Sequence, residues 1–138
     1  RLRDRFQLPG MKILQFGFNG DSDNPYLPEN IKGNNWIIYT GTHDNPTSLG
    51  WWNTLDEDIK DNINRRSSGT FDSPSWKLID IAFSTKAKII MTPLQDILSL
   101  DNTARFNKPG TTEGNWCWRL INFDFGQSLR KYGEFKNH

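Results

Sequence analysis

Trp36-Ile37-Ile38-Tyr39-Thr40-Gly41-Thr42-His43-Asp44-Asn45 is the stretch on which the reading turns. Trp36 to Thr40 is β-branched and aromatic and carries no charge, so it reads as a strand. Its unbroken apolar character suits a strand buried on both faces, as in a parallel sheet under helices. Gly41 to Asn45 is polar and turn-forming. The residues able to do chemistry thus fall where the strand ends.

Two further apolar runs have strand length. Met11 to Phe18 follows the helix breaker Leu8-Pro9-Gly10, and Lys86 to Met91 comes later. Helices lie between and after them. Thr54-Leu55-Asp56-Glu57 has capping-box spacing and opens a helix running to Arg66, which Ser67-Ser68-Gly69 stops. Ser73-Pro74 pairs a capping hydroxyl with a first-turn proline, and Trp76, Ile79 and Phe83 then recur at helical spacing, with Leu78 and Ala82 widening the stripe. Thr92-Pro93-Leu94-Gln95 repeats the capping signal for a short helix through Leu98, and Gln127 to Tyr132 reads as a last helix. Asn19 to Gly33 and Asp101 to Gly114 are long loops, of the kind that serve function or are ordered by something else. Strands separated by helical stretches imply right-handed crossovers and a parallel sheet, hence the α/β class. Three strands cannot close a barrel and need partners. No initiating Met is present and Arg1 to Phe6 reads like the tail of a helix already under way, so the chain is expected to be a piece of a larger one.

Composition narrows the partners. Lys plus Arg number 17 against 16 for Asp plus Glu, too even for a binder of nucleic-acid backbone. A single cysteine, Cys117, excludes an internal disulfide framework and a cysteine-based zinc site. No metal and no cofactor is expected. No apolar run approaches the roughly 20 residues of a membrane span, and Arg1-Leu2-Arg3-Asp4-Arg5 is no signal peptide. No membrane is expected as a partner. The expected compartment is the cytoplasm, with a plastid left open.

The candidate site residues have two readings each. His43 beside Asp44 at the carboxyl end of a strand matches the place where catalytic groups collect in α/β barrels. A carboxylate held next to an imidazole can steady positive charge or grip sugar hydroxyls. The same residues serve as turn caps, the commoner use of such a pair read from spacing alone. Trp51, Trp52, Trp116 and Trp118 offer flat faces of the kind that carbohydrate sites use, or large buried area in a core. Asn107-Lys108-Pro109-Gly110-Thr111-Thr112 is a polar loop that lacks phosphate-cradle spacing. Lys86 and Lys88 flank a strand and His138 closes the chain; all three read as solvated.

Six segments together resemble one family. They are Leu8-Pro9-Gly10-Met11-Lys12-Ile13-Leu14-Gln15-Phe16, Asn24-Pro25-Tyr26-Leu27-Pro28, Tyr39-Thr40-Gly41-Thr42-His43-Asp44-Asn45, Gly50-Trp51-Trp52, Pro93-Leu94-Gln95-Asp96, and Asn107-Lys108-Pro109-Gly110-Thr111 with Gly114-Asn115-Trp116-Cys117-Trp118-Arg119. In this order they resemble the C-terminal part of the amylomaltases, the 4-α-glucanotransferases also called disproportionating enzymes. The resemblance implies a (β/α)₈ barrel whose sixth, seventh and eighth strands are Met11–Phe16, Trp36–Gly41 and Lys88–Met91, with residues 1–138 as the C-terminal part of one catalytic domain. It implies transfer of α-1,4-glucan segments to another glucan's 4-hydroxyl by a retaining double displacement. The implied partners are maltodextrins or other α-1,4-glucans and the remainder of the same polypeptide. By carry-over, Asp44 stabilises the transition state and His43 binds sugar hydroxyls, while Asn45, Trp51, Asn107 and Pro109 contribute to the substrate groove. The nucleophile and acid/base belong to earlier strands, so Asp23, Asp96 and Glu113 take neither role and this piece alone is expected to be inactive. Pro46, Glu29 and Phe106 depart from the acidic residue, His and Met common at those places, which bears on substrate length rather than on reaction class.

A second reading is a non-catalytic carbohydrate-binding module with Trp51, Trp52 and Trp116 as its platform. Such modules are usually β-sandwiches. The helix-capping signals at Thr54, Ser73 and Thr92 weigh against it.

Overall fold

The computed structural model describes residues 2–121 and 126–135; His138 lies outside them. Three strands form one parallel sheet in chain order: β1 (Gly10–Ile13), β2 (Trp36–Tyr39) and β3 (Ile89–Met91). Ile13 lies beside Tyr39, and Tyr39 beside Met91. The helices are α1 (Leu2–Arg5), α2 (Ser48–Trp52), α3 (Glu57–Arg66), α4 (Pro74–Ser84), α5 (Leu94–Ile97) and α6 (Gly126–Glu134). This parallel α/β arrangement is not the sandwich of a carbohydrate-binding module.

The strands alternate between two different faces. Ile38 and Ile90 point to the helices, where Leu14, Phe18, Leu27, Ile63, Leu78, Ile81 and Ala82 make the main core. Ile37, Tyr39, Met11, Ile13, Ile89 and Met91 share the opposite face by register. Much of that face is open: Met11, Ile89 and Met91 are 54%, 44% and 46% exposed, while Ile13 is buried. Burial of β2 on both faces, expected from its composition, is therefore not met among the described residues. Helix α4 lies between two cores. Leu78, Ile81 and Ala82 enter the main one, while Trp76 and Ile79 meet Ile97 in a second. Phe71, Phe83, Tyr132 and Phe135 pack on that second core and dock α6.

Several element boundaries differ from the sequence reading. β1 stops at Ile13, and Leu14–Phe16 is a 3₁₀ turn that buries Leu14 and Gln15. β3 begins at Ile89, three residues later than the apolar run; Lys86 and Lys88 are exposed as read. α3 ends at Arg66 as expected, but Asp56 stands at its N-cap, because the Thr54 hydroxyl donates to Trp51 O instead. α4 starts as read, with Ser73 accepting from Ser75 N at 3.3 Å. α5 is capped by Pro93 rather than Thr92, without a side-chain bond; the Thr92 hydroxyl takes the Tyr132 hydroxyl. α2 is a five-residue helix that the sequence reading lacked, its N-cap Thr47 accepting from Gly50 N at 3.1 Å.

The long loop 19–33 is ordered from within. Buried Asn24 donates to Phe16 O and Asn19 Oδ1 and accepts from Tyr26 N, while Asn30 donates to Ser22 O and Asn24 O. Glu29 pairs with Arg66 and fastens the loop to α3, which holds the Glu29 carboxyl below its ordinary range.

Candidate functional site

Beyond β2 the chain enters the turn 41–47, which the rest of the fold grips at several points. Asn45 Oδ1 accepts from Thr42 N at 3.0 Å and from the Thr42 hydroxyl at 2.7 Å, closing the turn on itself. Gln15 Nε2 donates to Pro46 O at 3.1 Å, and Thr47 N donates to Asn102 Oδ1 at 3.2 Å. Asp96 fastens both ends. One carboxylate oxygen accepts the Thr40 and Ser48 hydroxyls, each at 2.7 Å, and the other accepts Ser48 N at 2.7 Å. Thr40, Ser48 and Asp96 are all fully buried. Burial pushes the Asp96 carboxyl above its ordinary value, against the pull of these three donors.

The turn thus held presents His43 and Asp44 outward. Their side chains are 54% and 53% exposed, with His43 Nε2 at 3.5 Å from Asp44 Oδ1. The other long loop closes over them. Asn107 Nδ2 donates to Asp44 Oδ1 at 2.6 Å, and Asn107 N donates to His43 O at 3.2 Å. Arg105 donates from Nη2 to Asp44 O at 2.6 Å and from Nε to Asn107 O at 2.7 Å. Trp116 lies with its ring 5.0 Å from the His43 ring and stacks on Phe106 at 6.1 Å. It holds a left-handed backbone, φ 62°, which costs a bulky residue strain of the kind found at functional sites.

His43, Asp44 and Asn45 stand at the rim of a cavity of about 810 Å³. Its floor is the open sheet face, with Ile13, Tyr39 and Met91, and its sides include Phe16, Phe106 and Pro109. Among the described residues Asp44 is the one carboxylate lining it. Apolar walls with a few polar groups at one end suit a ligand with both flat apolar faces and hydroxyls. Of the residues singled out from sequence, His43, Asp44, Asn45 and Pro109 come together here, and Asn107 reaches them through Asp44. Trp51 does not join them. It packs against the main core, its ring 6.0 Å from Phe18. Trp52 likewise packs on that core. Arg105 and Asp96 received no role from sequence reasoning. The Pro93-Leu94-Gln95-Asp96 motif was the available signal for the second, and nothing but proximity to Asn107 marked the first.

Among the described residues no group of three or more His, Cys, Asp and Glu is placed to hold a metal ion, and no helix is long and apolar enough to cross a membrane.

Known proteins resemble this chain in sequence and fold. The family model described as 4-alpha-glucanotransferase matches residues 1–123. The chloroplastic/amyloplastic 4-alpha-glucanotransferase of Oryza sativa is 46% identical over 127 residues, which cover 89% of this chain and 21% of that protein. The 4-alpha-glucanotransferase of Synechocystis is 46% identical over 119 residues, 86% of this chain and 24% of that protein. An amylomaltase from Streptococcus agalactiae, solved in complex with acarbose, superposes with a TM-score of 0.87 at 30% identity, over 99% of this chain and 28% of that one. The chain therefore spans between a fifth and three-tenths of the length of these relatives. With a family match over most of its length and this likeness in sequence and fold, the chain belongs to the 4-alpha-glucanotransferase family.

Proposed function

We propose that this chain is the C-terminal part of a (β/α)₈ catalytic domain that transfers α-1,4-glucan segments to the 4-hydroxyl of another glucan or glucose by a retaining double displacement. On this reading β1, β2 and β3 are the last three barrel strands, and the open sheet face is the barrel interior, covered by the remainder of the same polypeptide. The face supports this by its own chemistry: its apolar residues line up in register, and Met11, Ile89 and Met91 among them stay exposed in the described structure.

The observation that carries the function is the position of Asp44. Among the described residues it is the one carboxylate lining an otherwise largely apolar cavity at the carboxyl end of a parallel strand. A glycosidic bond breaks through an oxocarbenium-like transition state, and a fixed carboxylate near that centre stabilises the developing positive charge. Asp44 fills this role, with the Asn107 amide holding one oxygen and leaving the other for a sugar hydroxyl. The His43 imidazole, half exposed on the same rim, donates to a hydroxyl of the same ring. Tyr39, Phe16, Phe106 and Pro109 give the apolar faces of the sugars their contacts. Asn45 contributes its Nδ2 edge, since its Oδ1 is used in the turn. The site leaves Trp51 to packing. A retaining reaction needs two further carboxyl groups, and these come from the rest of the protein. The substrates are maltodextrins or other α-1,4-glucans, no cofactor or metal takes part, and the protein works in the cytoplasm or a plastid.

The test is Asp44→Asn in the full-length enzyme, assayed by disproportionation of maltotriose. Asn keeps the shape and is nearly as good a turn cap, but it lacks the charge. Turnover is expected to fall by about 10²–10³-fold with an unchanged melting temperature. Near-normal transfer would make Asp44 a turn cap and remove it from the site.

A further inference from the structure

We propose that Arg105 is a positioning residue that sets the place of Asp44 in the reaction, acting through two backbone carbonyls rather than on substrate. The proposal rests on the reading of Asp44 as transition-state stabiliser. Its basis is a ring of hydrogen bonds between two segments 61 residues apart. Arg105 Nη2 donates to Asp44 O, and Arg105 Nε donates to Asn107 O. Asn107 returns the contact twice, from Nδ2 to Asp44 Oδ1 and from its backbone N to His43 O. Asn107 therefore holds the Asp44 carboxylate, and Arg105 holds both the backbone beneath that carboxylate and the backbone of the residue that grips it.

The chemistry of the side chain suits this task. A guanidinium presents Nε and Nη donors in a rigid fork, so one planar group fixes the spacing of two carbonyl oxygens. A lysine ammonium has no fixed fork and cannot set that spacing. Arg105 is half-buried and also closes the 3₁₀ turn 102–104, with its own N donating to Asn102 O at 3.2 Å. Asn102 in turn accepts Thr47 N, so the loop that carries Arg105 is tied to the far end of the His43–Asp44 turn. Without the fork, Asn107 keeps only the 3.2 Å bond to His43 O as its backbone link to that turn, and the carboxylate can pivot with it. Displacement of a catalytic group by as little as ~1 Å costs on the order of 10²-fold in rate.

The test compares Arg105→Gln, Arg105→Lys, Asp44→Asn and the Arg105→Gln/Asp44→Asn pair in the full-length enzyme with maltotriose. Arg105→Gln is expected to lower kcat by about 30–100-fold while KM stays within about threefold, because the positioned group acts mainly as charge develops. Arg105→Lys is expected to give an intermediate kcat. In the Asp44→Asn background, Arg105→Gln should cost less than about threefold more, since the charge that it positions is gone. An equal factor in both backgrounds would overturn the proposal, as would a rise in KM with kcat unchanged. Loss of the folded state at the assay temperature in both Arg105 variants would also overturn it, making Arg105 part of the scaffold. Full activity of Asp44→Asn alone would refute the reading of Asp44, and no transfer by the unmodified enzyme would refute the proposed function; each is a different result from a failure at Arg105.

Discussion

Replacing Asp96 tests how the fold holds its site. The side chain is fully buried and accepts three hydrogen bonds of 2.7 Å, from Thr40 Oγ1, Ser48 N and Ser48 Oγ. Asp96→Ala leaves all three donors in a buried space. The two hydroxyls can rotate and bond to other acceptors, at a cost of about 0.5–1.5 kcal/mol each. The Ser48 N–H cannot rotate away, and leaving it unpaired costs about 1–3 kcal/mol. Relief of the desolvated carboxyl offsets part of this, so the net loss in the full-length protein is expected to be about 3 kcal/mol. Asp96→Asn keeps an acceptor for Ser48 N and turns a donor to the hydroxyls, so it is expected to cost about 1 kcal/mol. The pH dependence carries a sign. Because burial raises the folded-state pKa, the folded protein binds the proton more tightly than the unfolded chain does. That stabilisation is complete below the ordinary carboxylate range and is lost as pH rises through the raised value. Asp96→Asn lacks this proton-linked stabilisation, so its deficit against the unmodified protein should shrink as pH rises from about 4 towards neutrality. Urea unfolding of both proteins across that range measures the deficit. A cost below about 1 kcal/mol for Asp96→Ala, or a deficit that grows with pH, would refute the account.

Three further outcomes follow from the same geometry. Gly50→Ala should destabilise by about 1–3 kcal/mol in denaturant unfolding, because a Cβ there overlaps the Asn102 carboxamide that accepts Thr47 N. The 138-residue chain by itself should transfer no glucan, because among the described residues its cavity is lined by one carboxylate where a retaining reaction also needs a nucleophile and an acid/base; longer maltodextrins appearing from maltotriose in proportion to added chain would refute this. The same isolated chain should self-associate through its open sheet face and the edges of β1 and β3. Sedimentation as a monomer with a sharp two-state melt would show a more self-sufficient fold.

The order of elements was legible in the sequence because local patterns and tertiary packing agree there. Ser73-Pro74 begins α4 as its capping chemistry requires, and Trp36 to Tyr39 is the central strand as its composition requires. The boundaries were less legible. The apolar run from Met11 continues past Ile13, yet the ladder ends there because the chain turns inward, burying Leu14 in the core and placing Gln15 beneath Pro46. Hydrophobicity records burial, and burial continues through a 3₁₀ turn as readily as through a strand. Thr54 fails as a cap for a related reason. Its hydroxyl meets the last turn of α2, a helix too short for its periodicity to show.

The site divides along the same line. His43 and Asp44 were legible because a polar pair directly after an apolar strand has a defined place in parallel α/β folds. Trp51 and Trp116 look alike in sequence, as tryptophans beside a polar loop, and the fold separates them. Trp51 sits on α2 with its ring against Phe18, while Trp116 is 54% exposed in a strained left-handed conformation against His43. Nothing local distinguishes them, because the difference lies in what each tryptophan packs against, the main core for Trp51 and the His43 rim for Trp116. The supports were harder still. Asp96 is 56 residues from Thr40 and Arg105 is 61 from Asp44, and neither partnership leaves a periodic trace. These two residues nevertheless fix the turn by complementary means. Asp96 is a buried acceptor that gathers donors at the turn's two ends, and Arg105 is a donor that ties the Asp44 carbonyl at its centre to the Asn107 carbonyl of the facing loop. On the proposed reading of Asp44, a half-exposed carboxylate keeps its position because its backbone is held from behind, and that holding is done by the residues least visible in sequence.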